Sequence, residues 1–244
     1  MANGGRDQVR WIGVPPERIG DWLASFGRRH GGAVPAAGPD AVTFRAADGA
    51  VAQCYVPFPP LAPGSPAGAG AAPGDAGAAA AAAMAVHARA ERVVGVLLVR
   101  LGGYAAGVFT GPAPELAASK VGSRLVHGRS AAGGTSQHRF ARRREKQAAE
   151  ALGAAAGTAA AVFGPYGGAL DAVVLGGDRR AVAGLRADPR LREYFAIAVD
   201  RFLTVPDPRL AVLRATPPLF REIQVRLTAP GDAPQPGGGG ADDG

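Results

Sequence analysis

Apolar positions follow three patterns along this chain. Residues 93–101, Val-Val-Gly-Val-Leu-Leu-Val-Arg-Leu, run almost without a polar break, which predicts a central strand buried on both faces. Residues 170–175 read as a second buried strand. Elsewhere the spacing is helical: Ile19, Trp22, Leu23 and Phe26 share one face of a helix opened by Pro15-Pro16 and ended by Gly31-Gly32. Residues 9–14 alternate weakly, as a strand would. Residues 41–46 and 50–56 read as two strands around Asp48-Gly49, a hairpin signal.

The remaining elements follow from breakers and caps. Residues 57–77 are rich in Pro, Gly and Ala without periodicity and read as a linker, and the polyalanine run at 78–83 starts a helix reaching about residue 90. Gly102-Gly103 turns the central strand back into an antiparallel partner at 104–110, and 121–126 reads as a third strand. A flexible loop at 130–136 precedes a long helix over 137–156. Gly176-Gly177-Asp178 caps a helix through about residue 187, 188–195 forms a short helix, and 220–227 a final edge strand. The fold class is therefore α/β, a mixed sheet with packed helices over 91–228. A smaller helix and hairpin unit occupies 1–56, a linker and Ala-rich helix 57–90, and a disordered tail 229–244.

Composition adds a charge argument. The 244 residues carry a formal net charge of +7, and of the basic residues only Lys120 and Lys146 are lysines. Guanidinium forks match phosphate geometry, so an arginine-rich basic chain favours nucleic-acid partners. Cys54 is the only cysteine, which excludes an intramolecular disulfide and a cysteine metal cluster. No apolar run is long enough to span a bilayer. A cytoplasmic monomer without a cofactor is expected.

One stretch concentrates the candidate chemistry. Gly133-Gly134-Thr135-Ser136-Gln137 leads straight into a helix carrying Arg139, Arg142, Arg143, Arg144 and Lys146. Glycines let a chain enter a narrow space, Ser136 can cap the helix, and a helix N-terminus attracts phosphate and developing negative charge. Arg139, Arg142, Arg143 and Lys146 share a face at i, i+3, i+4, i+7; Phe140, Ala148 and Leu152 can pack toward the sheet. Lys120, Arg124 and Arg129 extend the basic surface upstream. The same residues also fit a plainer reading, a solvated charged helix after an ordinary glycine loop, with Gln137 an incidental polar residue.

The pattern His127-Gly-Arg…Gly133-Gly-Thr-Ser-Gln-His-Arg-Phe-Ala-Arg-Arg-Arg resembles the central domain of eukaryotic and archaeal peptide-chain release factors, which reads His-Gly-Arg, Gly-Gly-Gln, then Arg-Phe-Ala-Arg. Anchored on Arg139-Phe140-Ala141-Arg142, the two glycines fall on Gly133 and Gly134, but the glutamine position falls on Thr135. About three residues are inserted between Arg129 and Gly133. Gly134-Thr-Ser-Gln137 is more similar to the Gly-Thr-x-Gln signature of the release-factor-like family of ribosome quality control, the Vms/ANKZF (VLRF) group, and the whole resembles its actinobacterial peptidyl-tRNA hydrolases. That resemblance implies hydrolysis of the ester between nascent peptide and tRNA on the large ribosomal subunit. Gln137 would be the catalytic group that orients water, residues 133–136 the loop that carries it, and Lys120, Arg124, Arg129, Arg139, Arg142, Arg143, Arg144 and Lys146 the contacts to rRNA and tRNA.

Other motifs are weaker. The four histidines show no close metal-ligand spacing, and the serines lack a Gly-x-Ser-x-Gly setting. Asp171, Asp178 and Asp200 admit a nuclease-like metal cluster, against which Asp178 reads better as a helix cap. Three classes stay open: peptidyl-tRNA hydrolase, a nuclease cutting the tRNA acceptor end, and a silent ribosome- or RNA-binding module.

Overall fold

The computed structural model describes residues 9–61, 73–100, 102–123 and 137–230, with the backbone alone for 73–74 and 137–144. In chain order the elements are β1 (Arg10–Val14), α1 (Ile19–Arg29), β2 (Ala33–Ala37), β3 (Ala41–Ala46), β4 (Val51–Tyr55), α2 (Pro73–Arg89), β5 (Val94–Arg100), β6 (Gly103–Thr110) and β7 (Glu115–Ser123). There follow α3 (Gln137–Phe163), β8 (Ala172–Gly177), α4 (Arg179–Leu185), α5 (Arg192–Ala196), β9 (Ala198–Leu203), α6 (Leu210–Arg214), α7 (Thr216–Arg221) and β10 (Ile223–Thr228). They divide into two compact units, Met1–Arg89 with Arg221–Gly244, and Ala90–Phe220.

The first unit is built on a five-stranded sheet in the order β1-β10-β4-β3-β2, antiparallel throughout. Its inward positions, Val14, Val42, Phe44, Ala52, Cys54, Ile223 and Val225, pack with Ile19, Leu23 and Phe26 of α1 and Ala80, Ala81, Met84, Ala85 and Ala88 of α2. The Asp48-Gly49 hairpin forms as expected. Asp48 accepts from the Ala50 amide at 3.0 Å and pairs with His30 Nδ1 at 2.7 Å, which together hold its carboxyl below the usual carboxylate range. Cys54 is fully buried on β4, and burial pushes its thiol up to about 12.

Two expectations for this unit are corrected. The strand near 220–227 is no edge: β10 lies between β1 and β4, because its apolar positions Ile223 and Val225 complete this core. The helix after the linker begins at Pro73 rather than 78, since proline fits a first turn and Ala76 and Ala80 are already buried. The inner part of the expected linker, 62–72, and the tail from 231 onward lie outside the described residues. So do residues 1–8. The sequence offered no sign of β2, whose five residues are four alanine or proline and one valine.

The second unit holds a mixed sheet in the order β7-β6-β5-β8-β9. β5 pairs antiparallel with β6 and parallel with β8. Its continuous apolar run is explained by cover on both faces. Leu97 and Val99 pack with Ala155, Ala156, Ala159 and Phe163 of α3. Val96 pairs with Gly107, where a Cβ would come within 2.9 Å of Leu213 on α6. The edge of Phe109 meets Phe220 on this second face, ring centroids 5.8 Å apart. Gly177 ends β8 at φ +101°, and any Cβ there would collide with the Val99 carbonyl oxygen.

The strand expected at 121–126 is β7, shifted toward the N-terminus to Glu115–Ser123. Its Ala117, Ala118 and Ser119 carry no apolar alternation to read. A tight helical turn at Gly164–Ala169 follows α3, which runs seven residues past the expected end at 156. Ala155, Ala156, Ala159, Val162 and Phe163 prolong its buried face.

Candidate functional site

The candidate site must be assembled from the helix that follows the Gly-Gly-Thr-Ser-Gln motif. The first residue of α3 is Gln137. At 27 residues the helix is ~40 Å long, whereas seven-residue β5 spans only ~23 Å, so α3 outruns the strand it covers. Among its described side chains, every fully buried one lies from Ala155 onward, while Glu145, Lys146, Ala149 and Glu150 are exposed. Phe163 reaches Gly95 near the start of β5, and Asp171 beyond it accepts from the Val93 amide at 2.7 Å. The C-terminal end of α3 thus sits at the amino edge of the parallel strands.

Helical geometry fixes the arrangement of the basic positions. At about 100° per residue, positions 139, 142, 143 and 146 fall within an arc of about 100°. The arc holding Leu152, Ala155, Ala156, Ala159 and Phe163, which packs on the sheet, is centred about 140° away, with position 142 the nearest to it of the four. Position 144 lies outside the basic arc. Lys146 is exposed, as this geometry requires.

Lys120 is exposed on the outermost strand β7, opposite Ala106 of β6. Ala106 and Ala118 pack in the core beneath α3, so alternation puts Lys120 on the sheet face that α3 covers. Two residues on, the ring of Tyr104 lies across Gly122, its cross-strand partner, so closely that any Cβ would clash. Arg124, Arg129, Gly133, Gly134, Thr135 and Ser136 lie outside the described residues, as does the loop at 130–136 and His127. The side chains of Gln137, His138, Arg139, Arg142, Arg143 and Arg144 do too.

The other candidates resolve into structural roles. Asp178 caps α4, accepting from the amides of Arg180 at 2.7 Å and Ala181 at 3.0 Å. Asp200 is exposed on β9. Among the described residues no three His, Cys, Asp or Glu side chains gather as a metal site. The perturbed titrations outside the hairpin are structural as well. Arg190 donates to Asp188 at 2.9 and 2.6 Å and holds that carboxyl low, and burial raises the Tyr194 phenol. A cavity of about 650 Å³ between α1 and α2 is lined by small and apolar residues such as Gly20, Ala24, Ala81 and Ala85, and holds none of the candidate residues. Two cations escaped the sequence reading because strand ends are not visible in it. Arg100, ending β5, donates to the Val205 carbonyl at 2.9 Å, and Arg179, following β8, lies over the Phe202 ring at 4.3 Å.

The chain belongs to the Actinobacteria/chloroflexi VLRF1 release factor family, whose model matches residues 92–226, more than half of its length. No curated protein sequence matches it. Among solved structures it is similar to an archaeal translation termination factor, aRF1, at 16% identity and a TM-score of 0.40, covering 53% of this chain and 36% of that one. It is also similar to the Vms1 mitochondrial localization core at 11% identity and a TM-score of 0.38, covering 85% of this chain and 80% of that one. The chain therefore spans about a third of the archaeal factor's length. Among the described residues no helix is long and apolar enough to cross a membrane.

Proposed function

We propose that the protein is a peptidyl-tRNA hydrolase that releases nascent peptides from stalled or split large ribosomal subunits. Membership of a release-factor family supports the setting. The observation that carries the reading is α3 itself: a 27-residue helix that begins at Gln137 and whose described buried side chains lie from Ala155 onward, with helical phase grouping positions 139, 142, 143 and 146 on one arc. Such a helix can hold an amide side chain at the end of a stiff arm while its arginines meet phosphates.

In the reaction, water oxygen bonds to the ester carbonyl carbon, the bond to the terminal ribose oxygen breaks, and that oxygen leaves with a proton. Gln137 orients the water through its side chain or its backbone amide. Amides of residues 134–137, at the N-terminus of α3, stabilise the tetrahedral oxyanion. The ester is already activated, so positioning supplies much of the barrier reduction without a strong protein base. Lys120, Lys146 and the arginines at 124, 129, 139 and 142–144 bind rRNA and tRNA phosphates and contribute affinity rather than chemistry. A cytoplasmic workplace and a monomeric state belong to the same proposal.

The test uses purified large subunits carrying labelled peptidyl-tRNA, with both products followed. The expected result is free peptide and tRNA that keeps its intact acceptor end. Gln137→Ala is expected to slow release by about 10²-fold or more, the loss typical of one removed transition-state donor. Shortened tRNA would establish acceptor-end cleavage instead. Equal release by mutant and wild type would remove Gln137 from the chemistry, and no release by the wild type would leave only a binding module.

A further inference from the structure

Strand register divides the side chains of the first unit's sheet between two faces. One is the core under α1 and α2. On the other, Trp11, Arg226, Gln53 and Thr43 stand side by side across β1, β10, β4 and β3. Trp11 is 55% exposed, yet its ring reaches over β10 to Tyr55, with centroids 5.5 Å apart at 34°. Arg226 and Arg45 are exposed, and Gln53, Thr43 and Tyr55 half-exposed.

Guanidinium groups outnumber carboxylates on this face. None of the five strands contains an aspartate or glutamate, and Arg45 and Arg226 stand on this face, whereas Arg10 shares the parity of Ile12 and Val14. The carboxylate that approaches the face, Glu222, sits at its corner over Gly13, where Gln224 donates to it at 3.4 Å. Paired strands lie ~4.8 Å apart, so Arg45 on β3 stands about 14 Å from the strand of Trp11. An aromatic pair, amide and hydroxyl groups, and two separated guanidinium groups on one sheet face match a polyanion with exposed rings.

We propose that this open face binds single-stranded RNA. Bases stack on Trp11 and Tyr55, Gln53 and Thr43 hydrogen-bond base edges, and Arg226 and Arg45 hold successive phosphates. A duplex does not fit the assignment, because its bases are already stacked and paired. The binding is independent of ester hydrolysis and of Gln137.

The full chain is titrated with a twelve-nucleotide oligouridylate, reading tryptophan fluorescence and, with labelled RNA, anisotropy. The other tryptophan, Trp22, stacks on Phe26 at 5.9 Å on α1, so quenching reports Trp11. Binding is expected to quench, and Trp11→Ala to abolish the quench and weaken binding about tenfold. Trp11→Phe should restore most of the affinity. Arg226→Ala and Arg45→Ala should each lower the salt slope of log affinity by about 0.7, the value for one phosphate of a single strand. An absent quench, or unchanged affinity in Trp11→Ala, overturns the proposal and assigns any RNA binding elsewhere. Equal quenching by an RNA duplex or by polyglutamate overturns it too, the latter in favour of an acidic polypeptide. Loss of self-association in Trp11→Ala, without any effect on RNA, would show a contact between copies.

Discussion

The two sheets have five strands each but solve different problems. The second is mixed and covered on both faces, so its central strand is apolar at consecutive positions: Leu97 and Leu98 are 2% and 0% exposed. The first is antiparallel, and β10 alternates, with Ile223 and Val225 at 0% and Arg226 exposed. A parallel pair such as β5 and β8 needs a crossover, here through α3, and that crossover supplies the cover. An antiparallel sheet has no such requirement and can leave a face free for a ligand.

Adjacent substitutions separate the two cases most sharply. Leu97→Ala and Leu98→Ala are each expected to cost about 3 kcal/mol, since both side chains are enclosed. On β10, Ile223→Ala should cost a similar amount, whereas neighbouring Gln224→Ala should stay within about 0.5 kcal/mol. Urea midpoints at constant slope measure all four. A large loss from Gln224→Ala, or a small one from either leucine, would break the contrast.

Smaller effects come from the carboxylates that each unit uses to bind its own amides. Asp178→Ala removes the one oxygen that accepts from two amides at the start of α4 and should cost about 1 kcal/mol by the same denaturation series. Asp48 closes the hairpin of the first unit and is exposed, so its effect is the smallest and is read from pH. Its folded-state carboxyl is held below 3.8 by the Ala50 amide and by His30. Its contribution is therefore fully present above the unfolded value and is lost as pH falls through the folded one. Asp48→Asn should flatten the acid limb below about pH 4 and leave the neutral region without pH dependence from this group. An unchanged acid limb would remove Asp48 from the list.

What could be read in the sequence follows the same division. Strong local signals were legible: the apolar run of β5, the Asp48-Gly49 turn, the Asp178 cap and a helix starting at position 137. Elements defined by distant partners were not. β10 alternates clearly, but nothing local says that its neighbours lie about 170 and about 215 residues away. β2 and the first half of β7 are alanine-rich edges whose strand character comes from pairing rather than propensity. For the site, helix phase was enough to put positions 139, 142, 143 and 146 on one arc. The Trp11 face was invisible, because it exists only once β1, β10 and β4 are brought together.

Cys54 has a practical consequence. The chain's one thiol is sealed beneath the first sheet and stays protonated far above neutral pH. A second thiol introduced at an exposed position such as Glu150 would therefore be the sole reactive thiol for maleimide or iodoacetamide. A dye, spin label or crosslinker attached there could report on α3 without first removing the native residue.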